Sequence, residues 1–298
     1  MHMADLFTMV LNKVDDSFSV QDTRNYGLYI QFDESGFVYT ILDTRKNKFL
    51  VLQQMMKNEF QPQAVPAPAI SFNDFLKSIL NAVPWLKNPY KQIKIAYEGQ
   101  KFTLIPGPLF DAGEVENYLR LHFSLSKEET ALSDHLIPLD NHLGFSIPVS
   151  TLNSIRAFFP SGSVNHITSV IAEGLWINYK NRILSNRVFL HMREKRFDLM
   201  IFDGKQMTYL NTFNVSNEDD IAYYLIFVLE QLNLNPENIH AILLGAVERN
   251  SHLQELLTRY VKHIEFGRRN EAFRYPYVFN QIPPQAFYSL LNYPSCGL

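Results

Sequence analysis

The chain has 298 residues, 46% apolar and 19% charged, which fits a folded protein with room for two domains and excludes a disordered one. Its net charge is only −3 and its 27 basic residues are scattered, so it lacks the concentrated basic face of a nucleic-acid binder. A lone cysteine, Cys296, excludes an internal disulfide and a thiolate metal cluster.

The first segment, MHMADLFTMVLNKVDDS, has no basic leader followed by an apolar stretch of secretory length. No apolar run approaches the ~20 residues of a bilayer span, and a cytoplasmic protein is expected. Residues 28–54, LYIQFDESGFVYTILDTRKNKFLVLQQ, predict three short strands joined by two tight turns. Phe37, Tyr39 and Ile41 alternate along one face, Asp43-Thr44 form the second turn, and Leu50 lies in the third strand. The Pro/Ala-rich stretch MMKNEFQPQAVPAPA, residues 55–69, reads as a surface loop. Ser71-Phe72-Asn73-Asp74 then opens a helix with Phe75, Leu76, Ile79 and Leu80 on its apolar side. The serine hydroxyl can cap a free N–H while the acid three residues on favours the positive helix end. That helix closes near Pro84, and a strand, IKIAY, follows at 93–97.

Between the halves, residues 124–165 hold two strand-like stretches, HLIPL and LGFSIPV, and a helix, STLNSIRAFF. Ser124-Leu125-Ser126-Lys127 formally matches a Ser-x-x-Lys nucleophile, but with Glu128 and Glu129 behind it the run reads as a helix entrance. His135 and His142, with Asp134 and Asp140, offer zinc-ligand chemistry without the cysteines or helical spacing of a structural site. They are expected to decorate a turn between strands. Residues 166–181, HITSVIAEGLWINYKN, predict an amphipathic helix.

The opening pattern then returns 160 positions later as VFLHMREKRFDLMIFDGKQMTYLNTFN, residues 188–214. Phe197, Leu199 and Ile201 alternate as before, Asp203-Gly204 take the turn, and Leu210 lies in the third strand. Ser216-Asn217-Glu218-Asp219 opens a helix carrying Ile221, Leu225, Val228 and Leu232, which closes near Pro236. Strand HAILLG, 240–245, follows, then HIEF and the charged Arg268-Arg269-Asn270-Glu271, read as a solvated edge. The tail is rich in aromatics (Phe273, Tyr275, Tyr277, Phe279, Phe287, Tyr288, Tyr293), expected to cover a core or, less simply, to form a docking surface.

Both halves therefore read β-β-β-α-β with further elements after, the mark of an internal duplication. That order resembles the ribonuclease H-like fold. Two such units in one chain resemble the actin-like ATPase superfamily of actin, heat-shock chaperones, sugar kinases and proteins of pilus and secretion machines. The chain is most similar to an uncharacterised bacterial family assigned this fold. The fold class implied is α/β, with two ribonuclease H-like domains of β-β-β-α-β-α type in actin-like ATPase arrangement. The first would span 1–165, with inserted elements around 124–165, and the second 166–298, with a Pro/aromatic-rich extension.

The resemblance also implies two hairpin turns that grip nucleotide phosphates and a glycine-rich turn that holds adenosine, in the cleft between domains. Asp33-Glu34-Ser35-Gly36 matches the first turn, but its glycine is displaced by one place and Glu34 adds a carboxylate that would repel phosphate. His191-Met192-Arg193-Glu194-Lys195-Arg196 stands at the second, without a glycine; Arg193, Lys195 and Arg196 could attract an anion but read as solvated charges. The adenosine segment, LLGAVERNSHL at 243–253, keeps Gly245 and a helix start near Asn250-Ser251, while Ala246 and Val247 replace further glycines.

The first functional reading is accordingly a non-catalytic scaffold or regulatory protein, a pseudo-ATPase with no catalytic residue and no cofactor, working through a protein partner. The alternative is a nucleotide-binding protein with weak ATPase or phosphotransferase activity, holding Mg-ATP through Asp33, Ser35, Gly36 and Gly245, with Asp203 a lesser candidate. A nuclease of the ribonuclease H type ranks last, because it needs clustered carboxylates for two metals and only Asp33 and Glu34 stand near the first-strand position.

Overall fold

The computed structural model describes residues 6–33, 35–58, 70–182 and 186–298, so Glu34 and the 59–69 part of the Pro/Ala-rich stretch lie outside the described residues. Two compact units divide the chain. One runs to Val170 and takes in Glu271–Asn280 and Gly297–Leu298; the other comprises Ile171–Asn270 and Gln281–Cys296.

In the first unit the strands are β1 (Phe7–Val14), β2 (Tyr26–Phe32), β3 (Gly36–Asp43) and β4 (Lys48–Lys57), followed by helix α1 (Phe72–Ala82) and β5 (Gln92–Tyr97). An inserted group comes next: β6 (Phe102–Pro106), α2 (Val115–Arg120), β7 (Glu129–Leu136) and β8 (Asn141–Pro148). Helix α3 (Val149–Phe158) and β9 (Gly162–His166) then return to the main sheet, whose order is β1-β4-β3-β2-β5-β9. The inserted strands form a separate sheet, β6-β8-β7. The insertion thus begins earlier than expected, at Phe102, while α3 and β9 belong to the main layer rather than to the inserted elements.

Helix α4 (Ile167–Tyr179) crosses the boundary. The second unit continues with β10 (Arg187–Met192), β11 (Arg196–Asp203), β12 (Gln206–Asn214), α5 (Glu218–Gln231), β13 (His240–Gly245), α6 (His252–Thr258), β14 (His263–Phe266) and α7 (Tyr288–Asn292). Its sheet order, β12-β11-β10-β13-β14, reproduces the order β4-β3-β2-β5-β9 of the first unit. The repeat extends to the register. Leu28 pairs with Ile41 and Val188 with Ile201, and the strand irregularity at Ile41/Leu42 recurs at Ile201/Phe202.

The alternation read from the sequence is what buries the cores. Leu28, Ile30, Phe37, Tyr39 and Ile41 meet Phe75, Leu76, Ile79 and Leu80 of α1. In the second unit Val188, Leu190, Phe197, Leu199 and Ile201 meet Ile221, Leu225 and Val228 of α5. Each such side chain contributes about 1.5–3 kcal/mol on burial. Leu232 falls outside this set: it is the exposed C-cap of α5.

Two helix expectations change in detail. The cap of α5 is Asn217, not Ser216: Asn217 Oδ1 accepts from the Asp220 N–H at 3.0 Å, and Asp220 Oδ2 accepts from the Asn217 N–H at 3.3 Å. Helix α4 is not amphipathic, for Thr168, Ser169 and Glu173 are as buried as Ile167, Val170, Ile171 and Leu175. The tail supplies part of the cover. Tyr288 donates to the Gly174 carbonyl at 3.3 Å, and Asn178 donates to Tyr288 and Asn292.

The tail's other aromatics mostly cover a core, as expected. Phe49 packs against Phe273, Tyr275 and Phe279 with ring centroids 5.2, 5.3 and 6.4 Å away. Tyr277 is the exception, 86% exposed.

Candidate functional site

The β2–β3 turn brings Asp33, Ser35 and Gly36 together. One oxygen, Asp33 Oδ1, accepts from the Ser35 N–H, the Ser35 hydroxyl and the Gly36 N–H, each at 2.8 Å. The Asp33 N–H donates to the Gly36 carbonyl at 3.2 Å. An aspartate that bonds the backbone just after it closes a turn in this way. Gly36 is buried, and a Cβ there would lie 2.9 Å from Met56 Sδ and 3.0 Å from the Met55 carbonyl. The approach of β4 is therefore sufficient reason for the glycine.

At the corresponding β10–β11 turn the charges are not simply solvated. Glu194 and Lys195 are exposed, but Arg193 turns inward and donates to Asp198, which is fully buried. Asp198 lies directly opposite His191 on β10 and Thr212 on β12, so the three side chains form a row across the sheet. His191 Nδ1 stands 3.1 Å from Asp198 Oδ2, and the Thr212 hydroxyl donates to Oδ1 at 2.5 Å. Because an ionised carboxylate only accepts, Nδ1 carries the proton. Burial pushes the Asp198 pKa up, yet the Arg193 charge and the bonds from His191 and Thr212 outweigh it and hold the carboxyl well below the usual range.

Gly245 ends β13 opposite Met192, with φ +78°. A Cβ at Gly245 would lie 2.2 Å from the Met192 carbonyl and 3.2 Å from the His191 ring, so no other residue fits this turn. Its N–H donates to the Gln285 carbonyl at 2.9 Å, and the next N–H, of Ala246, donates to the Met192 carbonyl at 3.0 Å. The buried Gln285 side chain donates to the Val247 carbonyl at 2.8 Å. Val247 packs into the core, which accounts for a branched residue where the superfamily pattern has glycine. Helix α6 then starts at the Ser251 cap, close to the expected place.

The remaining candidates disperse. Asp203 is exposed at the β11–β12 hairpin, beside Gly204. His135 and His142 stack on one another at 4.2 Å, and Phe110 stacks on His142 at 3.6 Å. Burial first, then the neighbouring His135, lowers the His142 pKa. Asp134 takes no part in that stack; it accepts from Asn165 and from the His166 N–H. Among the described residues no group of three His, Cys, Asp or Glu side chains could hold a metal ion. Ser126 does not open a helix, because its N–H bonds Glu129, the first residue of β7, whose other oxygen accepts from Ser146. Arg269 donates to the Ile282 carbonyl and Asn270 to Asn292, so the middle of that run is tied to the tail, while Arg268 and Glu271 are exposed as expected of a solvated edge.

Asp198, Thr212 and Gln285 escaped the sequence reading. The one available signal was an aspartate in the middle of an otherwise apolar strand, RFDLMIFD.

Two sheets of one order, each with three antiparallel strands leading into a helix and a parallel strand, define an actin-like ATPase fold. Solved structures share it. A Bacteroides thetaiotaomicron protein with actin-like ATPase fold and unknown function is 19% identical over 94% of this chain and 99% of its own, with a TM-score of 0.79. A chain of the PilM-PilN type IV pilus biogenesis complex is 11% identical over 89% of this chain and 96% of its own, with a TM-score of 0.59. Residues 15–264 match the family described as "Protein of unknown function (DUF3822)", and the chain belongs to that family. No curated protein matches it. Among the described residues no helix is long and apolar enough to cross a membrane.

Proposed function

We propose that this chain is a non-catalytic scaffold or regulatory protein of the cytoplasm, a pseudo-ATPase that works by binding a protein partner. The observation that carries the reading is the use of the turn donors. Phosphate recognition by a hairpin needs free backbone N–H groups. Here those of Ser35 and Gly36 are given to Asp33, and at the turn expected to hold adenosine those of Gly245 and Ala246 go to the Gln285 and Met192 carbonyls. At the second hairpin Arg193, one of the three cations there, is committed to Asp198, while Lys195 is exposed. Mg-ATP does not fit turns closed in this manner, and no step is assigned to it. The PilM-PilN type IV pilus biogenesis complex supports the reading as an example, within this fold, of assembly with another protein.

The test is Mg²⁺-dependent ATP turnover by the purified chain. We expect none. Turnover that disappears in Asp33→Ala would overturn the reading in favour of a weak ATPase holding nucleotide through Asp33, Ser35, Gly36 and Gly245.

A further inference from the structure

We propose that the outer face of α5 is a docking site for a partner segment that is apolar and carries lysine or arginine. This deepens the scaffold reading by naming the chemistry of the partner, and it rests on that reading for its biological role.

A groove of about 400 Å³ lies between α5 and Tyr260, just beyond α6. Tyr223, Ile226, Phe227 and Tyr260 wall it, with Asp219 one helical turn before Tyr223 and Glu230 just beyond Phe227. Tyr223 is 64% exposed, Tyr260 49% and Phe227 45%, on a helix side that solvent would normally claim for charged residues. The rings of Tyr223 and Phe227 stack 6.2 Å apart, forming a rigid aromatic platform of the kind that anchors interfaces.

The charges that α5 itself brings to the platform are all of one sign. The helix sequence EDDIAYYLIFVLEQ contains acids at 218, 219, 220 and 230 and no base. Glu218 and Asp220 have structural duties, Glu218 with His252 at 2.6 Å and Asp220 in the helix cap. Among the described residues, Asp219 and Glu230 have none. Glu230 also sits in the last turn, at the negative end of the helix dipole, where a carboxylate is disfavoured and a nearby cation would relieve it. Two unused carboxylates bracketing an aromatic strip are complementary to an apolar segment with basic residues. A second copy of the chain fits less well, since a symmetric pairing of this face would set carboxylate against carboxylate.

The test is selection of a random dodecapeptide display library on the intact chain, counter-selected with the double variant Tyr223→Ser/Phe227→Ser. Survivors should pair large apolar residues with lysine or arginine. Synthetic copies should bind the native chain more than about tenfold tighter than the double variant. Asp219→Asn/Glu230→Gln should weaken them several-fold and flatten the dependence on salt. All four positions are at the surface, and should the aromatic variant unfold, the carboxylate variant decides alone. The proposal is overturned if no peptide survives counter-selection, or if survivors are acidic or uncharged. It is equally overturned if sedimentation shows self-association that the double variant abolishes, which would assign the face to a second copy. ATP turnover alongside successful selection would sink the scaffold reading and leave the docking site standing.

Discussion

Asp198 keeps its charge without contact with water because Arg193, His191 and Thr212 surround it. Asp198→Asn would remove the buried carboxylate that the Arg193 guanidinium faces, and should cost about 3–5 kcal/mol in urea unfolding at neutral pH. Acid should act in the same direction. A carboxyl held low in the fold stabilises fully above its unfolded pKa, about 3.9 for aspartate, and that share is lost as pH falls toward the folded value. Glu129 adds to the trend. Burial opposes its ionisation, but Lys101, the Ser126 N–H and Ser146 bring its pKa to about 2, so its share disappears between about pH 4.3 and that value. Urea midpoints measured down the acid range should therefore fall more steeply for the native chain than for Asp198→Asn. The glycines offer a paired test. Gly204, at φ +56° with open space around it, should tolerate alanine at a cost of about 1 kcal/mol. Gly245→Ala should cost several times more, since its Cβ would collide with the Met192 carbonyl. The sequence singled out Gly245 and the Asp33 turn as candidate nucleotide-binding remnants. It did not reveal that their N–H groups are already engaged, because Gln285 approaches Gly245 from forty residues away along the chain.

At the scale of elements, the two main helices start differently, and the difference is measurable. Ser71→Ala removes the hydroxyl that accepts from the Asp74 N–H and should cost about 1 kcal/mol, as should Asn217→Ala. Ser216→Ala should stay within about 0.5 kcal/mol, because the residue gives only its backbone N–H to Asp220. Thermal unfolding of the three variants separates these outcomes. The strands around Phe37–Ile41 and Phe197–Ile201 were legible because one of their faces is uniformly apolar and the other is interrupted by polar residues such as Thr40 and Asp198. Edge strand β1 was not: in FTMVLNKV, Met9 and Val10 are exposed, so its hydrophobicity does not mark a buried face. Helix α4 misled for the opposite reason, since buried Thr168, Ser169 and Glu173 imitate a polar side.

For the whole molecule, the repeat is the firmest result, since order, register and strand irregularity all recur, and the chain has an actin-like ATPase fold of unknown function. Sequence pattern reached that far because a fold is written in periodicity. Whether a turn is free to bind a ligand is decided by individual hydrogen bonds, within the turn at Asp33 and from Gln285 and Met192 at Gly245, which periodicity does not encode. Turns closed in this way should leave the fold indifferent to nucleotide, which thermal unfolding with and without millimolar Mg-ATP would measure. A ligand at about 100 times its Kd would add about 2.7 kcal/mol and raise the midpoint by several degrees. We expect no rise for the native chain; a reproducible rise that vanishes in Asp33→Ala would show that the turns still hold nucleotide.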